Sequence, residues 1–490
     1  MVMPAKLLTK SKYLDGLQCP KYLWIACNEP ERIPEPDATT QHIFDQGHLV
    51  GELAKKLFPG GIDVPNEDFM GNIAMTKELL QQRRPLFEAS VLSGRIYSRA
   101  DVLNPVNEDE WDIIEVKSST SVKDVNLHDV SFQKLCWEEA ELKIRKCFLA
   151  YINNQYVRNG EINPEELFIL EDISDDVTTT SEGIRDRIRQ MLEVIDASAC
   201  PEVSIGPHCS DPYDCPLTEC WDGLPEHNVF TLYYGGKKSY ELYGSGILDI
   251  IDIPTGYKLN DKQHIQCTCV NNGKPYIDQG AVRDFLDSLE YPLYYLDFET
   301  FATAIPLFDG VRPYQNIPFQ FSLHMQEVPG SELKHFSFLA EGKRDPRPEL
   351  LLRLREAIGN NGSIVVYNQS FEKRVLKELG ETFPEYAGWS EAIIGRLADL
   401  IVPFRSFHYY HPDQKGSASL KKVLPAVTGS GYEGMSIAQG DDASLAFLKI
   451  TFDDVAADEV LKVREDLLAY CGLDTEGMVR IIKRLEEIVG

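Results

Sequence analysis

The sequence predicts an α/β protein of more than one domain, and three observations lead there. At 490 residues the chain is longer than one ordinary core can use. Short runs rich in β-branched and aromatic residues (96–103, 112–117, 294–301, 363–367) alternate with segments of helical period (45–58, 129–141, 347–358). Between 227 and 289 the character changes, with Gly and Pro punctuating short pieces. Three parts are therefore expected: 1–226, a small linker module over 227–289, and 290–490.

Hydrophobic content of 43% and charged content of 26% are those of an ordinary globular chain. No apolar run is long enough to cross a bilayer, and residues 1–11 lack the apolar core of a secretory signal, so no membrane and a cytoplasmic location are expected. The net charge of −28 gives no general attraction for a polyanion, which argues against nucleic acid as a partner. That argument is incomplete, because metal-dependent nucleases collect carboxylates and a local basic groove can sit on an acidic exterior. Eleven cysteines in such a chain suggest metal ligands or buried thiols rather than disulfides.

Residues 12–26 (KYLDGLQCPKYLWIA) read as a short helix, a Cys-Pro break at Cys19, and an aromatic helix. Residues 45–58 (DQGHLVGELAKKLF) read as an amphipathic helix on which His48 and Glu52 share a face; alone, that pair reads as surface. IYSRADVL (96–103) and DIIEVK (112–117) are two strands joined by a polar turn. On the second, Glu115 and Lys117 are two apart and share a face, and a hairpin brings Asp101 alongside. Two acids and a lysine converging this way can hold a divalent ion, activate water and neutralise charge on a phosphate. Residues 129–141 then form a helix with Gln133 and Trp137 four apart.

Over about residues 10–222 this arrangement resembles the PD-(D/E)XK nuclease fold in its RecB/AddB and CRISPR-associated exonuclease branch. The likeness rests on YLDGLQCPKYLW, the helix bearing His48, RADVL with Asp101, IIEVKSS with Glu115 and Lys117, and the helix with Gln133. It implies His48, Asp101 and Glu115 as metal ligands, Lys117 as the catalytic lysine and Gln133 as a further site residue. Trp137 stands where that branch usually has tyrosine.

Cys209, Cys215 and Cys220 lie in a Pro- and Asp-rich loop (PHCSDPYDCPLTECW) that cannot form a regular element and is best held by a shared ligand. Three thiolates leave a fourth place, and Cys19 beside Pro20 is the claimant. Four thiolates suit a 4Fe-4S cluster, with zinc as the alternative. The same branch, by the resemblance, carries an iron–sulfur cluster held by one N-terminal cysteine and a C-terminal trio. Such a cluster would staple the ends of the domain. Cys200 is a weaker ligand candidate, and Cys27, Cys136, Cys147, Cys267, Cys269 and Cys471 read as buried or incidental.

The linker module reads as strand-like VFTLYY followed by small helical pieces; GSGILDIIDIP (244–254) is faintly similar to a helix–hairpin–helix, and a compact linker is the plainer reading. In the last part, YYLDFETF (294–301) is a strand that projects Asp297 and Glu299 from one face and Phe298 from the other. Two carboxylates so placed repel each other, and a hard divalent ion such as Mg²⁺ or Mn²⁺ would relieve them; an edge strand with two unrelated acids is the plainer alternative. Two more strands (310–324 after a loop, 333–339), a helix (347–358), a buried strand (363–367) and a helix (368–379) follow. Asn368 and Glu372 sit at the last strand-to-helix turn. A final helix begins near Asp458, with Tyr470 and Asp474 one turn apart and a local irregularity expected at Gly472.

Asp297, Glu299, Glu372, Asp474 and Tyr470 together resemble the DEDD exonuclease superfamily (DnaQ-like, RNase H fold), in its subclass with a tyrosine before the final aspartate. The likeness spans about 290–490 and is close to an uncharacterised bacterial family that joins a RecB-like domain to an RNase H-like one. It departs at Glu372, where aspartate is usual. It implies two-metal hydrolysis, with Asp297 bridging both ions, Glu299 and Asp474 completing one site, Glu372 serving the other through water, and Tyr470 orienting the attacking water. Asp399 reads as a helix cap. Lys415, Lys421 and Lys422 supply local positive charge. The expectation is a 3′–5′ DNA exonuclease with a second, RecB-like site, acting in repair or defence. An RNA exonuclease and a nucleic-acid-binding protein with decayed sites are the alternatives.

Overall fold

The computed structural model describes residues 6–65, 68–437 and 439–490. The protein is mixed α/β and forms two compact units. The first holds the chain to Asp222 together with Thr303–Gln315; the second holds Gly223–Ala302 and Asn316–Gly490.

In the first unit β3 (Leu86–Ser93) and β4 (Ile96–Pro105) form a hairpin that turns at Gly94, and β5 (Glu110–Lys117) pairs antiparallel with β4. The Asp124–Glu139 helix then carries the chain over to β6 (Lys143–Ile152), parallel to β5. β7 (Phe168–Asp172) closes that edge. β2 (Ile62–Asp63) closes the other, and β1 (Leu8–Thr9) runs parallel to the start of β4. The crossover helix buries Val130, Phe132, Cys136 and Trp137, and Tyr13 of the Lys10–Gln18 helix stacks on Phe132 at 4.8 Å. As expected, Cys19 separates the Lys10–Gln18 and Pro20–Asn28 helices, with Pro20 at the first helical position.

Residues 310–315, read from sequence as the approach to a strand, pack instead in this first unit. The Arg158 guanidinium donates to the carbonyls of Pro306 (2.8 Å) and Leu307 (2.9 Å), and Ala304 is buried among Val50, Ala54, Ile152 and Leu167. A loop whose carbonyls are answered so far along the chain carries no local signal of its position.

In the second unit β8 (Tyr276–Ile277) belongs to a small antiparallel pair. The main sheet holds β9 (Leu293–Phe301), β10 (Ile317–Gln326), β11 (Lys334–Leu339), β12 (Ile364–Val366) and β13 (Leu397–Asp399), and β14 (Tyr409–Tyr410) completes the pair with β8. The order is β11-β10-β9-β12-β13; the first three form the expected antiparallel meander, and β12 and β13 run parallel to β9. The period of two along β9 sorts its side chains. Tyr294, Leu296 and Phe298 face a core with the Arg347–Ala357 and Ser370–Thr382 helices. Leu293 and Tyr295 face the other core, with the Leu420–Thr428 and Ala457–Val489 helices. Asp297 and Glu299 continue this second set, so the face that receives the last helix also carries the acids.

Two expectations are corrected. VFTLYY forms a 3₁₀ turn at Val229–Thr231, not a strand, with the Lys237–Gly244, Asp261–Asn272 and Gln279–Asp287 helices after it. The last helix is continuous through Gly472: its register is set by Gln320 Nε2 donating to Leu467 O (2.8 Å) and by the Ser322–Thr475 hydroxyl pair (2.7 Å).

The turn before β12 is the tightest point of this unit. Gly362 holds φ +87, and a Cβ there would lie 1.9 Å from the Pro292 carbonyl oxygen. Gly362→Ala is expected to destabilise the fold by about 3 kcal/mol, from left-handed strain and overpacking together. Gly388→Ala, in an exposed helix with open space around it, should stabilise by about 0.5 kcal/mol. Urea denaturation midpoints of the two variants read the difference.

Candidate functional site

On the acidic face of β9, Asp297 pairs with Ser322 and Glu299 with Gln320 across the β9–β10 ladder, which leaves both carboxylates pointing at the last helix. That helix presents Tyr470, Cys471 and Asp474, all buried. Among the described residues, one trio of potential ligand atoms lies within 4.8 Å of one another: those of Asp297, Glu299 and Cys471. The Cys471 thiol donates to Asp297 Oδ2 at 3.4 Å, and the Tyr432 hydroxyl donates to Asp474 Oδ1. The Lys421 ammonium lies 5.4 Å from the Tyr470 ring centre and 6.0 Å from that of Tyr432. Glu372 enters from the first turn of the helix after β12; it is buried, and among the described residues its Oε2 has no hydrogen-bond partner.

The electrostatics follow from this packing. Burial pushes the Asp297 carboxyl far above the ordinary range, and Asp474 adds to it. Glu299 rises through burial, then Asp297 and Asp474; Glu372 rises through burial, then Asp297. Asp474 is pushed up to about 6 by burial, with the Tyr432 bond and Lys421 pulling the other way. Tyr470 and Tyr432 are raised by burial and by Asp474. Four carboxyls that resist ionising, one with an orphaned oxygen, suit a divalent cation, which would supply the missing partner and favour the ionised forms.

Asp297, Glu299, Glu372, Tyr470 and Asp474, expected from sequence as the site residues of this half, lie near enough to act on one another's charge. Asp399 does not join the ligands: its carboxylate accepts from the backbone N–H groups of Asn368 (2.8 Å), Gln369 (3.1 Å) and Ile401 (3.2 Å), and so caps the turn that aims Glu372. Cys471, read as incidental, is a site residue instead. The signal was present, since positions 470, 471 and 474 share one helical face. Tyr432 gave none, because it lies in a Gly- and Ser-rich loop.

In the first unit Asp101, Glu115, Lys117 and Gln133 also converge. Lys117 Nζ bridges Glu115 Oε1 (2.5 Å) and Asp129 Oδ2 (2.8 Å), and Gln133 Nε2 donates to Glu115 Oε2 (2.6 Å) and Asp129 Oδ1 (2.9 Å). The N-terminal Lys10, absent from the sequence expectation, reaches Glu115 (2.8 Å), Asp129 (3.7 Å) and Asp101 (3.9 Å). Asp101 Oδ2 accepts from Val116 N (2.8 Å). Glu88, left-handed between the Phe87–Val102 and Ala89–Ala100 pairs, is raised by burial and by Asp101. Burial pushes Glu115 up to about 7, with Asp101 and Asp129 adding. Burial would raise Asp129 too, but Lys10 and Lys117 overcome it and hold it low. His48 is not brought to these acids: it lies exposed on the Ala38–Ala54 helix. Trp137 is a buried core residue.

The four cysteines gather at the far end of this unit. Burial raises the Cys215 thiol, and Cys19, Cys209 and Cys220 each add to it; Cys209 is raised by burial and by Cys19 and Cys220. The loop has only 3₁₀ turns (Pro207–Cys209, Thr218–Trp221). It is tied to the N-terminal helices by Gln18 Nε2, which donates to the carbonyls of His208 (2.9 Å) and Tyr213 (2.7 Å), and by the ion pairs of Glu219 with Lys21 (3.2 Å) and Arg32 (2.5 Å). Cys200 lies beside the loop, half-buried against Trp24, Ile25 and Leu217.

Comparison with known proteins identifies relatives without assigned activity. Residues 294–419 match the family described as a domain of unknown function, DUF2779; that span includes Asp297, Glu299, Glu372 and Asp399 and stops short of Tyr470 and Asp474. The chain is 24% identical over 238 residues to the uncharacterized protein MG366 of Mycoplasma genitalium, covering 45% of this chain and 36% of that one. It is 27% identical over 206 residues to the MG366 homolog of Mycoplasma pneumoniae (38% and 31%), and 28% identical over 240 residues to the uncharacterized protein UU173 of Ureaplasma parvum (44% and 34%). The chain thus spans about a third of the length of the curated relatives it matches.

The state of Glu115 has a readable consequence. Its carboxyl holds a proton in the folded protein to about 7, against 4.5 in the unfolded chain. Its contribution is complete below 4.5 and lost as pH rises through about 7, so its share of the stability, up to about 3 kcal/mol, should fall away across that window. Chemical denaturation at a series of pH values should show a fall in the wild type and a shallower one in Glu115→Gln, the remainder coming from the raised carboxyls of Asp297, Glu299, Glu372 and Asp474.

Proposed function

We propose that the protein is a metal-dependent nuclease whose principal centre is the Asp297 cluster, acting as a 3′–5′ exonuclease on DNA. The observation that carries this reading is the convergence of Asp297 and Glu299 on a central strand, Glu372 after β12 and Asp474 on the last helix, with an unpartnered buried oxygen on Glu372. Their order along the chain and their elements are those of the DEDD exonucleases that the sequence resembles.

Asp297, Glu299 and Asp474 would hold Mg²⁺ or Mn²⁺ directly, and Glu372 through its free Oε2. Divalent ions bound there supply a lowered pKa for water and charge stabilisation for a phosphodiester. Cys471 fixes the Asp297 carboxylate through its thiol, and Tyr432 fixes that of Asp474. Tyr470 stands beside the acids to orient the attacking water, and Lys421 offsets their charge on the side a phosphate must approach.

In the first unit the geometry supports a second reading. Asp101, Glu115, Lys117 and Gln133 stand as the resemblance to RecB-like nucleases implies, but Lys10 and Lys117 already neutralise the acids and His48 is exposed. This centre therefore reads as a closed polar core rather than a second active site. Cys209, Cys215 and Cys220 of the loop, with Cys19 between the first two helices, are near enough to act on one another's thiols and would fit the four ligands of a 4Fe-4S cluster that cross-links residue 19 to the loop.

Two measurements test this. With Mn²⁺ and a 5′-labelled single strand, Asp297→Asn should reduce trimming from the 3′ end by at least about 100-fold, while Lys117→Ala leaves the trimming rate near that of the wild type. Equal trimming by Asp297→Asn and wild type would refute the assignment; a preference for labelled RNA would redirect it to RNA, and binding without turnover would favour the decayed-site alternative. Separately, protein purified without oxygen should be brown and contain iron, and Cys215→Ser should be colourless with a lower melting temperature. A colourless wild type with stoichiometric zinc would replace the cluster by zinc.

A further inference from the structure

The stretch 227–289 takes no part in the chemistry above, yet it builds one wall of a groove in the second unit. Residues 230–235 and the turn at 415–420, with Asn368 and Arg405, line a cavity of about 670 Å³. Along the chain, the groove's lining adjoins residues of the carboxylate cluster at two points. Asn368 stands four residues ahead of Glu372, and Leu420 directly precedes Lys421, whose charge acts on Asp297, Glu299 and Asp474.

Its lining offers two side chains open to a ligand, although the Tyr234 ring also meets the Tyr233 ring edge to face at 4.6 Å. Tyr234 is 81% exposed and sits on a left-handed backbone, φ +45. A bulky residue avoids that conformation unless its surroundings impose it, and the surroundings here are built for it. Its neighbour Tyr233 is buried, donates its hydroxyl to Arg405 O (3.2 Å) and lies under the Lys262 ammonium at 5.4 Å. Asn368 and Lys415, on the same groove, are also left-handed. Arg405 is exposed and forms no ion pair among the described residues, while its charge reaches the phenols of Tyr233 and Tyr367. An aromatic face open to solvent and a guanidinium without a carboxylate, beside a cluster of acids, match the two halves of a nucleotide: a base that stacks and a phosphate that takes paired N–H donors.

We propose that this groove seats the single-stranded DNA that feeds the Asp297 centre, with a base stacked on Tyr234 and a backbone phosphate on Arg405. The inference rests on the nuclease reading and adds to it the path of the strand. The linker module is thereby part of the substrate site rather than a spacer.

The test uses the full-length protein and a fluorescein-labelled oligothymidylate, read by anisotropy in EDTA so that binding is separated from cleavage. Tyr234→Ala and Arg405→Ala should each weaken binding about tenfold and raise KM for trimming in Mn²⁺ by a similar factor. Tyr234→Phe should bind as the wild type does, because the ring face survives. Arg405→Ala should also flatten the salt dependence by about one phosphate contact. Lys377→Ala, an exposed charge on the Ser370–Thr382 helix, controls for loss of charge alone. If the wild type binds and trims while both alanine variants bind within about twofold of it, the groove assignment is overturned and the nuclease reading stands. Failure of the wild type to bind or trim either DNA or RNA would remove both. Tighter binding of oligouridylate would overturn the choice of DNA.

Discussion

The second unit is organised around a single difficulty, the burial of several carboxylates against one another. Two unit charges about 4 Å apart repel by about 4 kcal/mol in an effective dielectric near 20, whereas one ordinary hydrogen bond returns only about 1 kcal/mol. The bonds from Cys471 and Tyr432 therefore position Asp297 and Asp474 but cannot offset the repulsion. Protons or a cation must do so. The apolar packing of Leu293 and Tyr295 against Leu424, Ile481 and Leu485, together with the bonds of Gln320 and Ser322 to the last helix, holds the acids where they would otherwise separate.

The first unit meets the same problem differently. Asp101, Glu115 and Asp129 crowd as closely, but Lys10 and Lys117 are folded into the cluster and Gln133 satisfies the remaining oxygens of Glu115 and Asp129. Breaking such a buried network by removing one partner costs about 3–5 kcal/mol, while the intact network adds little net stability. A cluster whose carboxylate oxygens are already met by Lys10, Lys117 and Gln133 gains less from a cation than one in which Glu372 Oε2 stands bare among the described residues. That difference, rather than the number of acids, is why the centre at Asp297 is given the chemistry.

How much of this was legible depended on whether the signal was periodic. The period of two along residues 293–301 placed Asp297 and Glu299 together, and the period of 3.6 placed Tyr470 with Asp474; both arrangements stand in the structure. What pairs across the chain without periodicity was not legible. Lys10 meets Glu115 because a two-residue strand runs beside β4, and Tyr432 meets Asp474 from a loop. The exposure of His48 was not legible for a related reason: a helical pattern fixes which residues share a face but not which face turns inward, and here its side turns to solvent. The segment at 303–315 shows the same limit at the scale of a unit, since its anchor is the Arg158 side chain rather than any pattern of its own.

A chain of net charge −28 is a poor host for a polyanion, and the proposed groove would reconcile the two. At physiological salt the screening length is about 8 Å, so distant acids slow the approach of a strand but weigh little on a contact already made. What decides affinity at the site is the sign of the nearest unpaired groups. There Arg405 and Lys421 face the groove and the carboxylates, and Lys415 is held by Glu226 at 2.8 Å. Few cations and an exposed ring make a site that depends on stacking more than on charge. Such a site would favour a flexible, unpaired end over a duplex, whose bases offer no free face, and that is the form of substrate the proposed exonuclease would take.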